Sequence, residues 1–203
     1  MTRSLLMSTL EDRANEVNLY LSKFITKSPK IARFLDEPEE SCIDIAIWEN
    51  MPSEGLATIL TIDLSYHPLF TWDGEPYTKE RVELMAVCGI PDIDFMTSIM
   101  STCAFCVINS KWFSVPGSIF HDVVSMYDNK LNMKHILFDF PWIHAEFLST
   151  ANIGGVQTRW LMVVPISESE FQYAIEVKSA NALSEKLDEN HINICDFNRP
   201  SVI

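Results

Sequence analysis

Glycine is scarce, with six residues among 203, and no long polar or low-complexity tract interrupts the chain. That argues against a disordered protein or a flexible multidomain linker. Basic residues are also few: 15 Lys and Arg stand against 28 Asp and Glu, for a formal net charge of −13. The acidic residues are spread along the chain and not gathered in a tail. Such a field repels a phosphate backbone, which speaks against direct nucleic-acid binding. It suits a basic protein partner, or it simply keeps the chain soluble; composition leaves both open. No stretch reaches the length expected of a membrane span, so no membrane association is expected. The first ten residues lack the sustained apolar core of a signal peptide. Five cysteines (Cys42, Cys88, Cys103, Cys106 and Cys195) are an odd number, four of them among apolar neighbours. Free thiols in the reducing cytoplasm are the expectation.

Catalytic signatures are missing as well. There is no Walker A motif, no GxGxxG, no GxSxG and no HExxH. Cys103-Ala-Phe-Cys106 is a CxxC, but it falls about three turns into an uncharged stretch expected to be helical. A redox site would place it at a helix N-terminus, where the dipole lowers a thiol pKa. Two helix-core cysteines fit the position better. A zinc site would need a second ligand pair, and His121 and His135 are not spaced as one. His67, His144 and His191 lie in unlike contexts, and the carboxylate pairs Asp92/Asp94 and Glu39/Glu40 fall at caps and loops. No cofactor, no metal and no catalytic residue is expected.

What the chain does contain is a scaffold. Trp160–Val164 is an apolar run too short for an ordinary helix and is expected to form a strand buried on both faces, ended by Pro165. Ser167-Glu168-Ser169-Glu170 then spells a capping box for the next helix. Upstream, Leu6, Leu10, Ala14, Val17, Leu21, Phe24 and Ile25 mark one helical face, and Ile31–Leu35 suggests a second helical piece after Pro29. Residues 1–40 are accordingly an N-terminal helical region. Strands are expected over Cys42–Trp48, Ala57–Leu64, Arg81–Val87 and His135–Phe138. Ala145–Thr150 and Thr158–Val164 read as a strand pair turned at Gly154-Gly155. Helices are expected from an Asp92 cap to about Ser110, over Ile119–Tyr127, and from a Ser179 cap through Leu187. Few helical crossovers connect these strands. The expected fold is therefore mixed α/β (α+β): one domain over residues 1–203, with a central, largely antiparallel sheet flanked by helices.

Large rings sit in loop contexts. Asp139-Phe140-Pro141-Trp142-Ile143-His144 packs two around a proline just past a strand, and Trp72, Tyr77, Trp112 and Phe113 add others. Loops carry function more often than cores, and Trp and Tyr concentrate at interface hot spots. The same rings could equally plug the ends of the sheet. If there is a binding surface, Asp139, Phe140, Trp142 and His144, helped by Trp72 and Tyr77, are the candidates.

Several blocks resemble the suppressor-of-fused-like domain family: Pro116-Gly117, Lys134–Phe138 leading to Asp139 and Pro141, Thr158–Ser167 followed by Glu168 and Glu170, and Asp196–Ser201. They span most of the chain after about Ala57. The resemblance implies a mixed α/β domain without a catalytic centre. Large animal members clamp a short peptide of a Gli-type transcription factor between two domains, and this chain is too short for the second. Stand-alone members look bacterial and are associated with polymorphic toxin systems as immunity proteins. The expected function is thus a non-enzymatic protein-binding domain that neutralises a cognate, perhaps basic, toxin, as a monomer or weak homodimer. The alternatives are a regulatory, self-associating module and a thiol-redox enzyme using Cys103 and Cys106.

Overall fold

A computed structural model of the chain describes residues 3–37 and 40–203. Leu6 and Leu10, whose side chains lie outside the described residues, and Glu39, also outside them, are not discussed further. In chain order the elements are α1 (Arg3–Leu21), β1 (Lys30–Leu35), β2 (Cys42–Glu49), β3 (Leu56–Thr61), β4 (Leu69–Phe70), β5 (Pro76–Tyr77) and β6 (Arg81–Gly89). They continue with α2 (Ile93–Ile108), β7 (Ile119–Phe120), β8 (Met133–Asp139), β9 (Thr150–Ile153), β10 (Val156–Ser167), α3 (Glu168–Glu176) and α4 (Ala180–Glu189).

Eight strands form one sheet in the order β1-β2-β3-β6-β10-β8-β7, with β9 also paired to β10. Every pairing is antiparallel except β6 with β10. The strand β10 is the hub. Arg159 lies opposite Val82 of β6 and Thr150 of β9, and Met162 lies opposite Met85 of β6 and Asp139 of β8. So β8 and β9 share one side of β10, end to end, and residues 140–149 leave the sheet between them.

Alternation along the strands builds a core on each face. Val82, Leu84, Ala86, Leu161 and Val163 point to one face, against Met96, Ile99, Met100, Cys103 and Val107 of α2. Met85, Val87, Trp160, Met162 and Val164 point to the other, where α1 adds Val17 and Leu21, α3 adds Ala174 and α4 adds Leu183 and Leu187. Trp160 is fully buried and stacks on Tyr20 of the α1 segment at 5.4 Å. Burying one such ring contributes on the order of 2–3 kcal/mol. The mixed α/β, largely antiparallel architecture is the one the sequence suggested.

Local readings differ from the structure in a few places. Residues 30–35 are an edge strand, where a helical piece was expected; pairing with β2 in full register supplies what local periodicity could not show. Pro165 does not end β10. Its carbonyl accepts from Arg199 Nη2, so its amide side faces away from β8, where no strand pairs and no donor is needed. Residues 119–127 form β7 and successive turns, not a helix. The first strand of the Gly154-Gly155 hairpin is Thr150–Ile153, later than expected. Asp92 gives α2 no side-chain cap. With the 3-10 turn before it, α2 makes a 19-residue stretch, Ile90–Ile108, that is long and apolar enough to cross a membrane. Contrary to expectation a stretch of that length exists; here one face of it is packed on the sheet.

Two buried arginines pin the helical layer. Arg13 of α1 donates to Ser65 Oγ (2.8 Å), the Ile153 carbonyl (2.8 Å) and Thr158 Oγ1 (2.6 Å), tying α1 to the β9–β10 hairpin. Arg199 donates to both oxygens of Glu170, at 2.6 and 2.9 Å. Glu170 is also the N3 member of the α3 capping box, so one carboxylate caps the helix and holds the chain's last segment.

Candidate functional site

The segment between β8 and β9 is fixed at both ends and free in the middle. At its start Asp139 Oδ1 accepts the Phe140 amide at 2.7 Å, and Pro141 is buried. At its far end the His144 carbonyl accepts the amides of Phe147 and Leu148, and both of those side chains are in the core. Between the pins, Phe140 and Trp142 remain 55% and 49% exposed. Two exposed rings grouped on one surface are the kind of apolar patch that marks contact sites.

Across from this turn lies α4, whose amphipathic sequence buries Leu183 and Leu187 and leaves Glu185 and Asp188 outside. The two walls enclose a groove of about 610 Å³ lined by Asp139, Phe140 and Trp142 on one side and by Glu185, Leu187 and Asp188 on the other. That is the size of an ordinary ligand or side-chain site. Its polar groups are three carboxylates, the Ser184 hydroxyl and one histidine, His191. Among the described residues, Asp139, Glu185 and Asp188 have no ion-pair partner within 4.0 Å. The α4 residues form a wall the sequence reading missed. They lie far along the chain from Trp142, and the only local signal was two acidic residues flanking a core leucine.

The other candidates sit elsewhere. His144 has a left-handed backbone (φ 59°) and turns its ring inward. Thr58 Oγ1 donates to the Met51 carbonyl, so His144 Nε2–H donates to Thr58 Oγ1 at 3.1 Å. Burial lowers its pKa, with Glu146 opposing. Trp72, 73% exposed, and the half-buried Tyr77 both meet Phe113 edge-on, at 5.9 and 5.1 Å, and neither lines the groove. Arg159 borders the groove: its guanidinium lies 5.5 Å from the Phe140 ring centre and its Nε donates to Glu80 Oε1 at 2.8 Å.

The thiols and histidines weighed for chemistry are held by burial and by hydrogen bonds. Burial raises the Cys103 thiol well above its usual value, and holds Cys106 at about 11. Thiolate chemistry needs the opposite shift. His135 is buried with both nitrogens engaged: Nδ1 accepts the Asp122 amide at 2.8 Å, so Nε2–H faces Glu168 at 2.9 Å. His67 is partly buried, and burial, then Lys111 and Arg81, lower its pKa to about 4. Glu83 is enclosed, taking hydrogen bonds from Thr61 and Ser65 side chains and from the Leu64 and Ser65 amides. Burial, and then the Glu83 charge, push neighbouring Asp63 up to about 8. No three or more His, Cys, Asp or Glu side chains among the described residues converge as metal ligands.

The molecule is a mixed sheet layered between helices, with an aromatic and acidic groove beside α4. The family model for suppressor of fused protein matches residues 39–200, and the chain belongs to that family. A curated relative, Immunity protein YqcF of Bacillus subtilis (strain 168), is 36% identical over 176 residues, covering 86% of this chain and 89% of that protein. A putative suppressor of fused homologue from Neisseria gonorrhoeae superposes with a TM-score of 0.66 at 16% identity, over 95% of this chain and 98% of that one. A chain of the Sufu–Fu complex gives 0.59 at 8% identity, over 95% and 91%. Drosophila Suppressor of Fused gives 0.56 at 10% identity, over 93% of this chain and half of the other. At these identities the structures speak for the fold alone.

Proposed function

We propose that this protein is a non-enzymatic binding domain that acts as an immunity factor, neutralising a cognate toxin by direct contact in the cytoplasm. The observation that carries the reading is the 36% identity, over most of both chains, to a protein called an immunity protein. Supporting it, the thiols are pushed away from reactivity, His135 is occupied and His67 neutral, and the exposed rings are held on a fixed turn. The net charge of −13 favours a basic partner through long-range attraction. On this reading the contact surface includes Asp139, Phe140 and Trp142; the exposed Trp72 and half-buried Tyr77 form a second aromatic patch on the same protein, and His144 positions the turn from inside. The working form is a monomer or weak homodimer, with no membrane or nucleic-acid partner.

The test is to sequence the neighbouring reading frames in the host and co-express this chain with the toxin that this reading expects there. Growth should be restored by this chain and by no unrelated acidic protein of similar size. Continued killing with the chain well expressed would refute the proposal.

A further inference from the structure

The groove beside Trp142 is specific about what it can take. Its walls carry two exposed rings and three carboxylates, from Asp139, Glu185 and Asp188, and no Lys or Arg among the described residues lines it. Of the neighbouring cations, Arg159 pairs with Glu80 and lies 5.5 Å from the Phe140 ring, so that ring already has a cation beside it and the Trp142 face is the one offered to a ligand; Lys186, the one basic residue of α4, lies over the Tyr173 ring at 5.4 Å. Glu185 and Asp188 are three apart on one helix and so project from the same face. The floor is apolar, with Leu187 almost wholly buried.

Carboxylates without counter-ions beside aromatic faces and an apolar floor suit a planar cation on an apolar stem. We infer that this groove seats a basic segment of the protein partner, with an arginine against Trp142 and between the α4 carboxylates, and an apolar neighbour over Leu187. The inference rests on the protein-binding reading above and adds both the surface and the chemistry of the occupant. An anionic ligand is opposed by all three carboxylates. A second copy of so acidic a chain is opposed by its own field.

The test uses the full chain and a short fluorescent peptide of alternating arginine and leucine, with a matched peptide in which citrulline, a neutral isostere, replaces arginine. Anisotropy should report binding of the arginine peptide and at least about tenfold weaker binding of the citrulline peptide. Glu185→Gln with Asp188→Asn should weaken the arginine peptide about tenfold. Glu54→Gln with Glu75→Gln, the same charge change on exposed sites outside the groove, should change it by less than about twofold. Equal weakening by both pairs would reduce the effect to the overall field and overturn the inference. So would light scattering that shows a dimer lost on the Glu185/Asp188 substitutions, since the groove would then hold a second copy. The toxin assay separates the two claims. If the unaltered chain protects and the Glu185/Asp188 variant protects as well, the groove assignment fails while the immunity reading stands. If the unaltered chain does not protect, the immunity reading fails and the peptide titration still decides the chemistry of the groove.

Discussion

Replacing Arg199 by Ala should destabilise the fold by about 3–5 kcal/mol, the cost of stranding a buried carboxylate. Glu170 is fully buried. Its two oxygens accept from Arg199 Nη1 and Nη2, the Ser167 amide at 2.8 Å and the Val202 amide at 3.0 Å. Burial alone would raise its pKa; the Arg199 hydrogen bonds, with the two amides, bring it below the usual carboxylate value. A depressed folded pKa contributes stability above the unfolded value, and that contribution is lost as pH falls through the folded pKa. In Arg199→Ala the two amides remain but the counter-charge is gone, so burial dominates and the pKa rises. The variant's deficit should therefore be largest at neutral pH and should shrink toward pH 5. The assay is urea unfolding followed by tryptophan fluorescence at several pH values. Glu170→Gln with Arg199→Met should cost much less than Arg199→Ala alone, because no charge is left buried. A single-variant loss below about 1 kcal/mol, or a deficit that grows in acid, would refute the role given to this pair.

The remaining predictions concern the groove, α1 and the thiols. Trp142→Ala should weaken partner binding by about 2 kcal/mol or more with an unchanged melting temperature; a lowered melting temperature with intact binding would make the ring part of the core. Arg13→Ala should cost about 2–4 kcal/mol, since it leaves buried acceptors at Ile153 and Thr158 without their donor; proteolysis should then release α1 first, and an unchanged digestion pattern would contradict the staple. Cys103 and Cys106 should react with a thiol reagent near neutral pH only as the protein unfolds, and fast reaction of either in the native state would reopen the redox alternative.

How much of this was legible in the sequence depended on whether the cause was local. The junction of β10 and α3 was legible because the capping box spans four adjacent residues, Ser167 to Glu170, and both of its hydrogen bonds are present. The strand expected over Arg81–Val87 was legible for the same reason, and it is present within β6. β1 was not, because Ile31–Leu35 is apolar in a way that suits helix or strand until β2 is beside it. Pro165 was misread because what matters is the direction its missing donor faces, which the sheet decides. The burial of Glu83 was not legible, because it depends on Thr61 and Ser65 from another strand and turn. Half of the candidate site was visible as a run of rings after β8. The other half, Glu185 and Asp188, is an ordinary solvated helix face until the fold brings it opposite Trp142.

The central claim is that this protein acts by occupying a partner and not by transforming one. Toxin activity measured against increasing molar ratio of this chain tests it most directly. Loss of activity that is linear and breaks at about one equivalent, with intact toxin recovered on dissociation, is the expected result. Complete and permanent inactivation at a small fraction of an equivalent would mean turnover, and would contradict the claim.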